Sequence, residues 1–430
     1  MVTNQSYKTS SPALTNSLTP DQLTELQISA CMGDPQKQET QRILTLIESL
    51  KEVSKNLENN SILFTNRIDS TTAIEVLSEL QTKASTIFST DPILYELYRL
   101  ICDLKNLLLE LENCQGYGLK SFLRRQTINY KVSQVAYAIE TKIQAYTDRT
   151  RIEDLVKTLV ELDNEDEKLK ALIEFEKRLS RGFDLDFQEL ILKRRVFTIL
   201  EFILCESICA KRVKEQAAVA IGALVKFNRN VFVGLVLMGP IIGALTSMAS
   251  RCSIEVLSSL IRLIRTPLVD EIEANGHIPR IISLLCSEDL AIQVAALDCI
   301  LELAFIGRKE VIEAMLREDL IEKLMEMQRM ELQSNLIEPE TGQYDNDTVS
   351  VGTSSQRKVE IKNKGEMGDF PFASCVSRFA IQLEVGEGLI PKERRELKLE
   401  ILRLVRVASV SDAEVATISA EILWGSSPWN

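Results

Sequence analysis

The stretch "RNVFVGLVLMGPIIGALTSMASR", residues 229–251, decides the fold. Between Arg229 and Arg251 it holds 21 residues without a charge, the length of a membrane-spanning helix. A Gly239-Pro240 step stands at their middle, and proline inside a helix removes a backbone donor and clashes with the preceding turn. The step predicts two helices of about ten residues, each too short to cross a bilayer alone. Gly and Pro are tolerated inside membranes, so attachment through residues 230–250 stands as an alternative until the surrounding pattern is considered.

That pattern is a repeat. "EQAAVAIGALVKF" sets Ala218, Ile221 and Leu224 on one helical face. "EVLSSLIRLI" does the same with Leu257, Leu260 and Leu263, and "VAALDCILELAF" with Leu297, Ile300 and Leu303. The offsets are 39 and then 40 residues. "MGPIIGALTSM" precedes the second of these helices and "NGHIPRIISLL" the third, with Gly239 and Gly276 each followed within three residues by proline. Glycine can close one helix in a left-handed conformation while proline opens the next, so each unit reads as helix, corner, helix, loop, helix. In this register the segment ahead of Gly239 matches "PLVDEIEAN", whose Asp270, Glu271 and Glu273 have no place in a bilayer. Residues 229–251 are therefore expected to be the buried corner of a repeat.

With these units in view, the chain resembles an armadillo repeat array, whose units run a short helix ending at Gly, then "IPxLVxLL", then a third helix with the consensus A-L-x-N-L. "GHIPRIISLL" at 276–285 carries the likeness best, and it extends over residues 165 to 430. An array behind an N-terminal helical bundle is similar to the armadillo part of plant U-box proteins, and the endings "FPFASCVSRFAIQLEVGEGL" and "AEILWGSSPW" resemble a plant armadillo group. No U-box stands between bundle and array, so ligase activity is not carried over; an adaptor acting with a separate U-box protein is a second expectation. The resemblance implies an α-solenoid that binds protein partners. In peptide-binding members the Asn of A-L-x-N-L ties down an extended ligand backbone through its amide donor and acceptor. Here Ala223, Arg262, Glu302 and Gln382 occupy that position, and only Gln382 keeps an amide. The tryptophans that accompany those asparagines in nuclear-import receptors are missing, since Trp424 and Trp429 stand at the extreme C-terminal end of the sequence.

Upstream, residues 1–38 read as a disordered tail with one short helix opening at Thr19-Pro20, and residues 39–150 as an N-terminal helical bundle. Its amphipathic stretches carry Ile43, Ile47, Leu50 and Val53; Ile74, Leu77, Ala84 and Ile87; Leu94, Leu97, Ile101, Leu104, Leu108 and Leu111; and Val132, Val135, Ile139 and Ile143. Spacings of three and four place each set on one face. Asp91 before Pro92 predicts a capped start to the third helix. The array is expected over residues 151–430, broken at about 331–369 by a disordered insertion rich in Ser, Thr, Asn, Asp and Gly. Thr353, Ser354 and Ser355 beside Arg357 and Lys358 offer a phosphorylation candidate there, against a plain solvated linker. Ser411 and Glu414 have the capping-box spacing for a last helix. No strand-type alternation of comparable length is found, so the fold class is all-α.

The 430 residues are 45% hydrophobic and 26% charged, ordinary globular usage. Acidic residues outnumber basic ones 62 to 50, the wrong sign for holding nucleic acid or anionic lipid by long-range attraction. Nine cysteines without a Cys-x-x-Cys pair suit a reducing compartment, and a cytoplasmic or nuclear location is expected. His277, the one histidine, falls in a repeat corner with no nucleophile or orienting carboxylate set beside it. Cys205 and Cys209 lie one turn apart but fall short of the four ligands of a structural zinc site, and are expected to pack. No phosphate loop or dinucleotide fingerprint is present. Neither catalysis nor a cofactor or metal is implied. The candidate partner contacts are Lys211, Arg212 and Lys214 before the first third helix, Arg262 and Arg265 on the second, and Arg308 and Lys309 after the third. These cations form a candidate basic strip for an acidic segment of a protein partner, the alternative being ordinary solvent-facing charges; Glu302 and Gln382, at the A-L-x-N-L position, complete the candidate partner contacts.

Overall fold

The computed structural model describes residues 91–114, 118–161, 164–337 and 370–424. They hold seventeen α-helices, one short 3-10 helix and no strand. The helix at Thr19-Pro20, the first two amphipathic stretches and the serine-threonine cluster at 353–355 lie outside the described residues. The chain separates into two compact units, residues 1–200 and 201–430. The division expected at residue 150 instead falls inside one long helix.

In the first unit, α1 (Pro92–Asn113) and α2 (Leu119–Glu161) pack along each other. Asp91 caps α1 as its sequence predicts, accepting from Ile93 N–H at 2.8 Å, and pairs with Arg149 of α2. The predicted stripes form this core: Leu94, Leu97, Ile101, Leu104 and Leu108 bury against Val132, Ile139 and Ile143. α2 outlasts its expected end because its apolar face changes side. Ile139, Ile143, Tyr146 and Thr150 continue one face, whereas Asp148, Ile152, Leu155 and Leu159, all buried, follow a second one about 180° round the axis. On that second face pack α3 (Glu165–Leu179) and α4 (Leu185–Lys193). Glu165, Asp166 and Glu167 fill the first turn of α3, where Asn164 caps their free N–H groups and negative charge suits the helix dipole.

A buried charge cluster ties the three helices. Arg178 of α3 donates Nε to Asp148 Oδ1 at 2.9 Å and Nη2 to Asp148 Oδ2 at 2.8 Å. The same Nη2 reaches Asp184 Oδ2 at 2.7 Å, while Asp184 caps α4 through Phe187 N–H. The guanidinium lies 4.2 Å from the centroid of the Phe187 ring, and Gln144 donates to Asp148 Oδ1 at 2.9 Å. Every charge in the cluster has a partner, the condition under which burying it is tolerable.

α5 (Val196–Cys205) contains the division between the units. The second unit opens with α6 (Lys211–Phe227) and continues in threes: α7 (Arg229–Met238), α8 (Ile241–Met248) and α9 (Arg251–Ile264); then α10 (Thr266–Ala274), α11 (Ile278–Ser283) and α12 (Leu290–Ile306); then α13 (Lys309–Arg317), α14 (Leu320–Ile337) and α15 (Cys375–Val385). α16 (Pro391–Ala408) replaces two short helices by one, and α17 (Asp412–Trp424) follows. The third helices stack in sequence, α6 on α9, α9 on α12, α12 on α15 and α15 on α17, while α7, α10 and α13 stack alongside. This unit is an α-solenoid. Its repeated stripes are the stacking surfaces: Ala218, Ile221, Leu224, Leu257, Leu260, Leu297, Ile300 and Leu303 are all buried. The predicted insertion leaves the third repeat between its second and third helices, with α14 running to Ile337 before the break.

Residues 229–251 are two helices bent by 72° at Gly239-Pro240. Phe232 and Val236 of α7, and Ile241, Ile242 and Leu245 of α8, are buried. Among the described residues no single helix is long and apolar enough to cross a membrane, and this bent pair meets the test by length and composition only. The two corner glycines work differently, against the expectation of a shared left-handed turn. Gly276 has φ +65, the region that favours glycine. Gly239 is extended, φ −94 and ψ 173; a Cβ there would collide with Glu201 Oε1 and stand 2.8 Å from the Leu235 carbonyl oxygen. One position requires glycine for its dihedral, the other for space.

Candidate functional site

The third helices present their A-L-x-N-L register positions along one face of the second unit. A residue in that register has a buried residue directly beside it in the chain, Leu224, Ile261, Leu303 and Leu383 in turn, while being less buried itself. Ala223 and Gln382 are half-buried in α6 and α15, and Arg262 and Glu302 lie between them on α9 and α12. Arg262 Nη1 donates to Glu302 Oε1 at 3.0 Å, bridging adjacent rungs.

Charges around these positions are arranged as cross-rung pairs. Arg378 of α15 lies 3.8 Å from Asp298 of α12. Lost solvation pushes the Asp298 carboxyl above its ordinary value, Arg378 and Arg262 oppose the shift, and Glu302 and Glu255 add to it. Asp298, Glu302 and Glu255 thus make an acidic patch tempered by Arg262 and Arg378.

Of the predicted cations, four are engaged by carboxylates elsewhere in the unit. Arg262 holds Glu302 and Arg265 holds Glu387. Arg308 lies 3.2 Å from Asp270, and Lys309 lies 3.1 Å from Glu396 of α16 and 3.7 Å from Glu313. Lys211 and Arg212 are exposed in the first turn of α6, while Lys214 turns toward a cleft. The structure therefore brings Arg262, Glu302 and Gln382 onto the ladder and engages Arg265, Arg308 and Lys309 in ion pairs with other segments. Apart from Glu313, one turn from Lys309, these opposite charges sit 38 to 122 residues apart in sequence, and single-sequence patterning gives no sign of such partners.

The cleft, about 770 Å³, lies at the corner of the first two repeats, lined by Cys205, Lys214, Met238, Gly239, Glu271 and His277 among others. Burial and then the Arg280 charge lower the His277 imidazole below its ordinary value, with Glu271 opposing. Its Nδ1 is 3.5 Å from Thr246 Oγ1, but that hydroxyl donates at 2.9 Å to the Ile242 carbonyl. Burial raises the Glu201 carboxyl above its ordinary value. Cys205 is exposed rather than packed and ends α5, so Cys209 follows on a loop and the one-turn relation is lost. No group of three or more His, Cys, Asp or Glu side chains that could hold a metal occurs among the described residues.

A tie that sequence reasoning missed comes from "EVGEGL", residues 384–389. Glu387 N–H donates at 2.7 Å to the Phe305 carbonyl near the end of α12. A Cβ on Gly386 would strike the Phe305 carbonyl oxygen, and one on Gly388 the Gly307 carbonyl oxygen. The doubled glycine is the available signal: it permits backbone to lie on backbone.

No family model matches the chain, and neither does any curated protein. Solved structures give weak likenesses. An engineered protein from the Northeast Structural Genomics Consortium is 12% identical, with a TM-score of 0.41 over 93% of this chain and 98% of its own. Another engineered protein from that source is 13% identical, with a TM-score of 0.41 over 64% of this chain and 95% of its own. A designed armadillo repeat protein is 13% identical, with a TM-score of 0.39 over 64% of this chain and 98% of its own. At these scores the assignment to a helical solenoid rests on the stacked helices of the chain itself.

Proposed function

We propose that this chain is a non-enzymatic protein-interaction scaffold that holds a partner on the third-helix ladder of its armadillo-like solenoid. The observation that carries the reading is the separation of tasks along α6, α9, α12 and α15. Buried stripes stack the rungs, while Ala223, Arg262, Glu302 and Gln382 stand outside the stacking core. In such arrays exposed residues vary without disturbing the fold, so a long surface can be fitted to a partner. The ladder's pairs are exposed enough to be exchanged: the side chains of Arg262 and Glu302 are 54% and 26% accessible. A partner segment competes for those groups with mixed charge, acidic toward Arg262 and Arg378 and basic toward Asp298, Glu302 and Glu255. Gln382 adds an amide that can bond an extended backbone.

The test is affinity purification of the full chain in parallel with Arg262→Glu and with Glu302→Ala/Gln382→Ala, followed by quantitative mass spectrometry. Partners of the ladder are depleted severalfold in both variants, and their capture falls with salt. An unchanged partner set in both variants would remove the ladder as the binding face.

A further inference from the structure

We propose that the cleft at the corner of the first two repeats is a second docking site, and that its occupant is a segment of a protein partner carrying apolar side chains around one carboxylate. The cleft lies over α8. Its floor is the outer side of that helix, Gly243, Ala244 and Ser247, whose spacings of three and four put them on one face. Leu204, Cys205 and Lys214 of the preceding helices border it together with Met238 of α7, and Glu271, Asn275 and His277 border it from the next repeat. No lining residue comes from α9 or α12. The ladder position of α6, Ala223, stands nine residues beyond Lys214, roughly 14 Å by helical rise. The site is therefore separate from the ladder, while serving the same scaffold reading.

Packing does not call for this opening. A Cβ on Gly243 would lie 3.6 Å from the His277 ring, an ordinary contact distance, yet the floor keeps its shortest side chains and leaves about 770 Å³ open. That volume is typical of a ligand cleft. The rim is apolar and exposed: Met238 is 81% accessible, and Ile208, in the loop that joins Cys205 to α6, is 92% accessible. Large apolar side chains gathered at a concave site mark a surface that another molecule covers, and methionine adapts its unbranched thioether to an irregular partner. The polar groups of Lys214, Glu271, Asn275 and His277 in the same cleft suit a protein segment and not a hydrocarbon phase.

The charges choose the occupant. Glu271 is already matched, accepting from Asn275 Nδ2 at 2.7 Å. His277 adds no charge near neutral pH, since burial and the Arg280 guanidinium hold it below its ordinary value. Lys214 is half-buried and has no ion pair among the described residues; Glu201, beside Gly239, does not reach it. Arg280, which donates to Ser247 Oγ at 2.8 Å, adds a second cation at the floor. A carboxylate on the partner supplies Lys214 with the counter-ion that the chain itself does not, and the flanking apolar side chains cover Met238 and the floor.

Selection of a phage-displayed library of random linear peptides on the full chain tests this. Peptides enriched on the wild-type chain should combine Leu, Met or Phe with Asp or Glu, and should shield Cys205 but not Cys286 from thiol labelling. Ala244→Trp, which fills the floor, and Lys214→Glu should each weaken them by about tenfold, and selection repeated on Lys214→Glu should turn the preference from acidic to basic peptides. Leu399→Glu, on the exposed side of α16, should bind them as wild type does, and all three variants should show unaltered helical circular dichroism. A selection that enriches no peptide, or an acidic preference that survives Lys214→Glu, would overturn the proposal. So would peptides that bind both cleft variants undiminished; if those are lost on Arg262→Glu they belong to the ladder, and that reading stands without this one. Sedimentation of the chain with phosphatidylcholine vesicles, abolished by Met238→Glu, would overturn it in favour of a membrane contact.

Discussion

Arg178 grips Asp148 from the neighbouring helix with two hydrogen bonds, 2.9 and 2.8 Å long, in a site that leaves the two side chains 8% and 4% accessible. The planar fork of the guanidinium matches the carboxylate, and Asp184, Gln144 and the Phe187 ring complete its surroundings. It fixes α3 against the second face of α2.

Removing one partner leaves the other charged and buried, which costs about 3–5 kcal/mol. Arg178→Met and Asp148→Ala should each lower the unfolding free energy of the first unit, obtained from urea titration, by that amount. Arg178→Lys should fall between them and wild type, because an ammonium lacks the paired donors. A loss below about 1 kcal/mol in both would show that the cluster relaxes or hydrates.

At the repeat corners, the two glycines should respond differently to alanine. Gly276→Ala places a side chain at positive φ and is expected to cost about 1 kcal/mol. Gly239→Ala forces Glu201 aside and crowds a helix carbonyl, with an expected cost of about 1–3 kcal/mol. Truncating Glu201 to Ala should recover part of the loss at Gly239 and none at Gly276. Denaturation of the three singles and two doubles checks the coupling.

Glu201 predicts a pH effect whose sign follows from its raised carboxyl. Burial makes the folded state hold this proton above the ordinary value of 4.5. The group's stabilising contribution is then complete below the unfolded value and is lost as pH rises through the folded one. Near neutral pH the ionised form is held at a cost, so Glu201→Gln should melt higher than wild type there. The gap should close once the pH falls below the unfolded value. A melting difference that is constant with pH would contradict this account.

Asp91 behaves in the opposite sense. Burial opposes its ionisation, but hydrogen bonds from Arg149 and the Ile93 N–H outweigh it, and the carboxyl sits below its ordinary value of 3.8. Its contribution is present above the unfolded value and lost as pH falls through the folded one. Asp91→Ala should cost about 1–2 kcal/mol near neutral pH through the lost cap, and less in acid, as followed by urea titration at each pH.

Thiol labelling should follow packing. Cys299 and Cys375 are buried and their thiols are pushed up to about 12, chiefly by lost solvation, and Cys375 donates to the Leu324 carbonyl at 3.1 Å. Both should resist an aromatic disulfide reagent until the chain unfolds, whereas exposed Cys205 and Cys286 react in the native state. Peptide mapping after a short pulse distinguishes the sites. Native labelling of Cys299 would indicate local opening of α12.

The sequence by itself determined the helices and their inner sides. A stripe such as Leu257, Leu260 and Leu263 identifies a helical face because apolar area must leave water wherever the chain goes, and the forty-residue recurrence indicates that like units cover one another. The Gly239-Pro240 break was equally legible, since proline's lost donor is a local property. Tertiary structure alone decided the rest. α2 extends past residue 150 because a second partner awaits its other face, and periodicity read along one face ends where the burial changes side. The candidate cations were visible as residues, but whether Arg308 meets a ligand or Asp270 depends on which distant carboxylate the stacking brings within reach. Hydrophobic burial is recorded locally as a spacing, whereas charge pairing is a relation between segments, and only the packed chain sets that distance.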